Sequence, residues 1–297
     1  MNKVLLTGHS GFLGRSIKLA LLKRGYHVTS LGRSIDSDII FDLSGDLTHF
    51  GKFDFVIHAA AKAHVVPKTE TEKNDFFTVN FIGTKKLLLS IENSDVRRFV
   101  FISTVAVYGV NSGDNIDENS PLLANEPYGL SKIQAEQLVL DWCHKNNVRC
   151  TILRLPLLVG NNPNGNLGTM IKGIKKGYYF NIGGGLAKKS MVLTEDVANI
   201  LVKASEIGGI YNLTDGYHPN FFEISSAIAK QNGKSIPFNM PYIIAKMIAL
   251  FGDVVGSKFP LNSNKLKKIT TDLTFDDNRA REVLGWQPRN VIDWFTK

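Results

Sequence analysis

Thr7-Gly8-His9-Ser10-Gly11-Phe12-Leu13-Gly14 is the stretch that decides the fold. A short apolar run, Val4-Leu5-Leu6, enters it. A segment with Leu13, Ile17, Ala20 and Leu21 at helical spacing leaves it, and Gly25 closes that segment. Strand, glycine turn and helix in that order make a phosphate cradle. Gly8 permits the tight turn, Gly11 lets the backbone approach a pyrophosphate, and Gly14 lets helix and strand pack closely. The free N–H groups and positive partial charge of the helix N-terminus then face the phosphates. Ser10, Phe12 and Leu13 fall in the same turn and are expected to line it.

Outward from this turn the same rhythm repeats. Val28–Leu31, Phe55–His58, Phe99–Ser103 and Cys150–Leu153 read as strands. Helical patterns lie between them, at Phe81–Ser90 and Tyr128–His144. Repeated strand–helix–strand order predicts a Rossmann fold: an α/β, doubly wound parallel sheet with helices on both faces and right-handed crossovers. Residues 1–160 are assigned to this dinucleotide-binding domain, and 190–214 are expected to return to it. Residues 161–297 are expected to form a smaller, mostly helical substrate-binding region. Pro156–Gly185, rich in Gly and Asn with a turn cluster at residues 161–165, suits substrate-facing loops.

At 297 residues the chain buries enough core to fold without disulfide or metal. Cys143 and Cys150 form no Cys-x-x-Cys pair and have no His cluster nearby, so no metal site is expected. Isolated thiols suit a reducing cytoplasm. The net charge of +8 comes without a dense Lys/Arg run, so a solvated basic surface is expected, with attraction for anionic partners such as nucleotide phosphates or a membrane face as the alternative and no nucleic acid expected. Tyr242–Phe251 is the most apolar stretch, but it is half the length of a membrane span and Lys246 interrupts it. It reads as a packed core helix, with a subunit contact or a membrane face as alternatives.

The second strand should end beside the adenosine ribose. A carboxylate there selects NAD, and an arginine accommodates the 2′-phosphate of NADP. Arg33 follows Leu31-Gly32, 19 residues beyond Gly14, and points to NADP, with NAD as the alternative. Asp42 is a candidate neighbour of the adenine, and Leu43 goes with it. Tyr128 and Lys132 stand four apart, on one face of a helix. A nearby ammonium would lower the phenol pKa, so that Tyr128 exchanges a proton while hydride moves at the attached carbon. Lys132 can also reach the nicotinamide ribose. Ser103 and Thr104, at a strand end, supply hydroxyls to orient the sugar oxygen and Tyr128.

These residues resemble the extended short-chain dehydrogenase/reductase family, the NAD-dependent epimerases and dehydratases, over nearly the whole chain. The match runs through Thr7–Gly14, His58-Ala59-Ala60-Ala61, Asn80 with Gly83-Thr84, Ser103-Thr104 with Val107-Tyr108-Gly109, Tyr128–Lys132 with Ala135-Glu136, Arg154, Glu195-Asp196-Val197-Ala198 and Leu284-Gly285-Trp286-Gln287-Pro288. The resemblance implies that Thr104 is the catalytic hydroxyl, Tyr128 the acid/base and Lys132 its partner. It places Ala59, Ala60, Ala61, Asn80 and Pro156 around the cofactor, and Lys189 on the nucleotide diphosphate.

Within the family the chain looks like nucleotide-sugar 4-ketoreductases and 4-epimerases. Val105-Ala106 follow Thr104 where the dehydratases carry an acid pair, and Leu157 stands where 4-epimerases carry an asparagine. The resemblance thus implies hydride transfer at C4 of a 4-keto sugar linked to a nucleotide, with UDP the expected carrier. A retained-NAD epimerase is the alternative. Relatives also imply a homodimer. A steroid-type alcohol reductase and a non-catalytic NAD(P)-binding regulatory or scaffold protein are the competing readings.

Overall fold

The computed structural model describes residues 3–42, 51–63, 65–163, 165–256, 259 and 261–296. Leu43 and part of the turn cluster at 161–165 lie outside the described residues. Seven strands form one parallel sheet: β1 (Lys3–Thr7), β2 (His27–Gly32), β3 (Ile39–Ile40), β4 (Phe55–His58), β5 (Arg98–Thr104), β6 (Arg149–Leu155) and β7 (Gly209–Asn212). Their order across the sheet is β7-β6-β5-β4-β1-β2-β3. The order reverses at β1, with β2 on one side and β4 on the other. That switch point opens a crevice at the carboxyl ends of the strands, where α/β sheets hold ligands. The doubly wound parallel sheet predicted from the strand–helix rhythm is therefore present.

Helices cover both faces. α1 (Phe12–Lys23) and, late in the chain, Thr194–Ile207 bury Leu13, Ile17, Leu21, Val197 and Leu201 against Val4, Leu6, Phe55 and Ile57. On the other face α2 (Glu70–Phe76) continues through a π-helical stretch, Phe77–Ile82, into α3 (Gly83–Ser90). α4 (Pro127–Lys145) packs beside them, and Leu87, Ile91, Val139 and Cys143 join Val56, Phe99 and Ile152 in the second core.

Beyond β6 come α5 (Gly165–Lys175), α6 (Thr194–Ile207), α7 (Phe221–Gln231), α8 (Tyr242–Val255), α9 (Ser263–Thr270), α10 (Asn278–Leu284) and α11 (Val291–Phe295). α5 corrects the expectation of loops over Pro156–Gly185: Leu167, Met170 and Ile174, at helical spacing among the glycines, turn into a core shared with α7 and α11. The C-terminal helices are also divided between two layers. Ala280, Leu284 and Trp286 pack into the α1–α6 side of the sheet, and Trp286 donates its indole N–H to the Thr214 carbonyl at 2.9 Å.

α8 overturns the expectation of a packed core helix. Its buried side is the small-residue stripe Ala245, Ala249 and Gly252, while its large apolar side chains face outward. Among the described residues no helix is long and apolar enough to cross a membrane.

Candidate active site

The glycine turn is shaped by contacts as well as by φ. Gly8 has φ +73°, and a Cβ there would lie 2.6 Å from the Ala60 nitrogen. A Cβ on Gly14 would lie 2.0 Å from the Gly8 carbonyl oxygen. Gly11 differs. It caps α1, and among the described residues a Cβ there would approach the Gly8 oxygen at 3.1 Å and no other atom within 4 Å outside its chain neighbours. Ser10 and Gly11 are exposed. Among the described residues no side chain caps the α1 N-terminus, and its first turn carries no acid. A dinucleotide pyrophosphate fits this end of the helix, because bare N–H groups and an unopposed dipole favour an anion there.

A directed chain of hydrogen bonds fixes the floor beneath the turn. Thr84 donates its hydroxyl proton to the Asn80 carbonyl at 2.6 Å, so toward His58 it must accept, and His58 Nε2 donates to it at 2.9 Å. His58 Nδ1 is then an acceptor and takes the Thr7 hydroxyl proton at 2.6 Å. Thr7 in turn accepts the Ala60 N–H at 3.1 Å. Burial pushes the His58 pKa down to about 3, helped by the charge of Lys132, so the ring is neutral and this tautomer is the consistent one. The chain ties β1, β4 and α3 together and holds Ala59 and Ala60 against the cradle.

Asn80 sits in the π-helical stretch, a distortion common near functional sites. Its Oδ1 accepts from the Lys62 N–H at 2.7 Å, and its Nδ2 donates to the Lys62 carbonyl at 3.1 Å and to Ser131 Oγ at 3.0 Å. Both amide hydrogens are used, so Asn80 positions the Lys62 loop and α4 rather than offering a donor to a cofactor. Ser131 passes the link on, donating to the Tyr128 carbonyl at 2.8 Å.

Tyr128 and Thr104 are brought together, each half-buried. Burial raises the phenol pKa, and a side-chain hydrogen bond with Thr104 lowers it in part. Thr104 Oγ1 also accepts the Ala106 N–H at 3.2 Å, which fixes its rotamer at the end of β5. Lys132 does not lower the Tyr128 pKa, contrary to the expectation from their spacing. Its buried ammonium donates to the Ile102 carbonyl at 2.7 Å and lies 3.7 Å from the Phe101 ring centroid. Desolvation pushes its own pKa down to about 7.

Ser103 is buried, and its hydroxyl is engaged by Glu136. Glu136 pairs with Arg154 at 2.8 Å, and Arg154 reaches Tyr108 Oη at 3.1 Å. Tyr108 donates to Asn212 Oδ1 at 2.8 Å. Ser103 therefore belongs to a buried polar network under the site. Lys189 likewise spends its ammonium on the Thr271 carbonyl at 2.9 Å. Pro156, between β6 and the short strand Leu157–Val159, is half-buried and Ala61 is exposed.

At the end of β2, Arg33 is exposed. The Asp38 carboxylate faces back into the strand and accepts from the Ser30 N–H at 2.7 Å and hydroxyl at 2.6 Å. These bonds hold its pKa below the usual carboxylate range. Two residues missed from the sequence complete this corner. His9 Nδ1 and Nε2 and Ser37 Oγ are buried with no hydrogen-bond partner among the described residues, and both side chains border Gly32. Orphaned polar groups of this kind call for a ligand or water. His9 lies inside the Thr7–Gly14 glycine motif, which is the signal the sequence offers for it. Asp42 is exposed. Among the described residues, no group of three His, Cys, Asp or Glu side chains is placed to hold a metal ion.

The Epimerase family model, described as the NAD dependent epimerase/dehydratase family, matches residues 4–214. The chain is 28% identical over 304 residues to the N-acetyl-alpha-D-glucosaminyl-diphospho-ditrans,octacis-undecaprenol 4-epimerase of Escherichia coli O157:H7, covering 94% of this chain and 88% of that protein. It is 30% identical over 322 residues to a decarboxylating sterol-4-alpha-carboxylate 3-dehydrogenase of Dictyostelium discoideum, covering 96% of each. Among solved structures, the UDP-glucose 4-epimerase of Thermotoga maritima with UDP-glucose superposes with TM-score 0.77 at 19% identity, over 99% of this chain and 96% of that one. With the glycine cradle, the sheet and the Thr104–Tyr128 pair in place, the chain belongs to the NAD dependent epimerase/dehydratase family of short-chain dehydrogenase/reductase enzymes.

Proposed function

We propose that this enzyme reduces C4 of a nucleotide-linked 4-keto sugar, with UDP as carrier and NADPH as reductant. The observation that carries this reading is the corner at the end of β2. Arg33 is exposed there, the exposed Asp38 carboxylate is engaged by the Ser30 N–H and hydroxyl, and among the described residues His9 and Ser37 present three buried polar atoms without partners. Such a corner suits the 2′-phosphate of NADP. A cofactor released each turnover suits a reductase, whereas an epimerase must retain its cofactor.

The chemistry that the dinucleotide supplies when bound is hydride transfer; the chain supplies the proton and the geometry. The α1 N-terminus holds the pyrophosphate. Thr104 orients the carbonyl oxygen of the sugar. Tyr128, kept protonated by burial, gives its phenol proton to that oxygen and regains one from solvent. Lys132 stands four residues on, from where it can engage the cofactor ribose once its ammonium leaves the Ile102 carbonyl. Pairing of two copies through helices of the cofactor domain and a cytoplasmic location belong to the same reading.

The test is incubation with UDP-4-keto sugars and hydride-labelled NADPH. The expected result is one NADPH consumed per product, with label at C4. Product without net cofactor change would instead establish an epimerase, the second reading, favoured by the 4-epimerase activity in the name of the Escherichia coli relative. Titration with UDP separates both from an apolar substrate of the kind named for the Dictyostelium relative, which predicts no UDP affinity.

A further inference from the structure

α8 is folded inside out for a helix of a globular protein. Ala245, Ala249 and Gly252 recur at helical spacing and meet Leu266 of α9 and Leu261. A Cβ on Gly252 would lie 2.0 Å from the Leu261 carbonyl oxygen, so the small residues are needed where they are. The other side carries Ile243 at 72% exposure, Met247 at 58%, Leu250 at 54% and Val254 at 86%. These are positions i, i+4, i+7 and i+11 of one stripe, flanked by exposed Ile244, Phe251 and Val255. The segment leading into α8 exposes Ile236 and Phe238 as well. Scattered apolar residues on a surface mean little, but a contiguous stripe marks a contact face.

The charge pattern of the sequence on either side of α8 selects the occupant of this face. Between Glu223 and Asp272 the sequence carries seven lysines, at 230, 234, 246, 258, 265, 267 and 268, and one carboxylate, Asp253. The Asp253 carboxylate is engaged by the Ser263 N–H at 3.0 Å and by its hydroxyl. Lys246, Lys267 and Lys268 are exposed beside the stripe on α8 and on α9, which packs against it. A second copy of the chain docked by two-fold symmetry would set these lysines against lysines. A bilayer rich in anionic phospholipid meets both needs, taking the apolar stripe into its acyl boundary and the ammonium groups at its headgroups. With 14 residues, α8 is about 21 Å long, too short to span the hydrocarbon core, so it would lie in the plane of the surface.

We infer that α8, with the lysines of α9, is an interfacial membrane-binding face that seats the enzyme on an anionic bilayer surface. This does not depend on the sugar reading, because the face lies outside the glycine cradle and the Thr104–Tyr128 pair.

The experiment is flotation of the purified full-length chain with phosphatidylcholine vesicles and with phosphatidylcholine–phosphatidylglycerol vesicles. The parent protein is expected to float with the anionic vesicles roughly tenfold better than with the neutral ones, and to lose that preference at about 1 M salt. Met247→Glu/Leu250→Glu and, separately, Lys267→Glu/Lys268→Glu should lose anionic-vesicle binding roughly tenfold while melting temperature and dinucleotide binding stay unchanged. Absence of flotation with anionic vesicles overturns the inference. So does equal flotation of the Met247→Glu/Leu250→Glu variant, or a solution dimer that this variant converts to monomer.

Discussion

The ammonium of Lys132 sits 3.7 Å from the centroid of the Phe101 ring and donates to the carbonyl of the next residue, Ile102. A ring face and one carbonyl replace only part of the water shell, which is why the pKa falls to about 7. The folded chain thus holds this proton less tightly than the unfolded chain does. The resulting cost is fully present below pH 7 and fades as pH rises toward 10.5. Lys132→Met is therefore expected to be more stable than the parent at pH 6 by ~1–3 kcal/mol, with the gap closing toward pH 10. Urea midpoints at the two pH values measure this. A gap independent of pH would remove titration of Lys132 as its cause.

His58 works in the acid range. Its folded pKa is about 3, against the ordinary 6.5, so folding expels a proton between those values. The stability that neutral His58 contributes is complete above pH 6.5 and is lost as pH falls from there toward 3. His58→Gln should flatten the fall in stability over that window, although its stability at pH 7 drops because the Thr7–His58–Thr84 chain is cut. The slope of unfolding free energy against pH is the measurement.

The Glu136–Arg154 pair is buried on both sides. Removing either partner leaves an uncompensated charge beneath the sheet end. Arg154→Met and Glu136→Leu are each expected to cost about 3–5 kcal/mol, and the double variant should recover much of that loss. Purely additive losses in denaturant melts would show that the two charges do not depend on each other.

The glycines of the cradle should separate fold from ligand. Gly14→Ala forces a Cβ to 2.0 Å from backbone and is expected to abolish or severely destabilise folding. Gly11→Ala meets one atom at 3.1 Å, so it should fold with a melting temperature near the parent's while dinucleotide affinity falls roughly tenfold or more. Fluorescence titration of NADPH onto both variants distinguishes them.

Tyr128→Phe removes the proton donor and leaves the ring against Phe76, at 6.1 Å between centroids. kcat is expected to fall about 10²–10⁴-fold with NADPH binding retained. Thr104→Val should lower kcat less and should raise the pKa seen in the rate profile, because the Thr104 hydrogen bond offsets part of the burial shift of Tyr128. A Tyr128→Phe enzyme of parental activity would move the acid/base role elsewhere.

The chain's local patterns carried the sheet a long way. Short apolar runs and helical spacing gave strands at Val28–Leu31 and Phe99–Ser103 and the helix from Tyr128, within a few residues of β2, β5 and α4. They failed where a helix is built from weak formers. α5 is hidden among Gly165, Gly168 and Gly173, because its stability comes from packing Leu167, Met170 and Ile174 on α7 rather than from propensity.

Features that rest on neighbours along the chain are legible in the residues alone: the glycine turn, the helix it opens, the strand–helix alternation, and Tyr128 and Lys132 one helical turn apart. Contacts between distant elements set the hydrogen-bond partners of the buried side chains. Ser103 reaches Glu136, Asn80 is saturated by Lys62 and Ser131, and Lys132 lies on Phe101, each partner being far away in sequence or on another element. The same holds for α8. An apolar run specifies that a helix will bury one side, but which side is covered depends on α9 fitting against alanine and glycine, and that fit leaves the large residues facing outward.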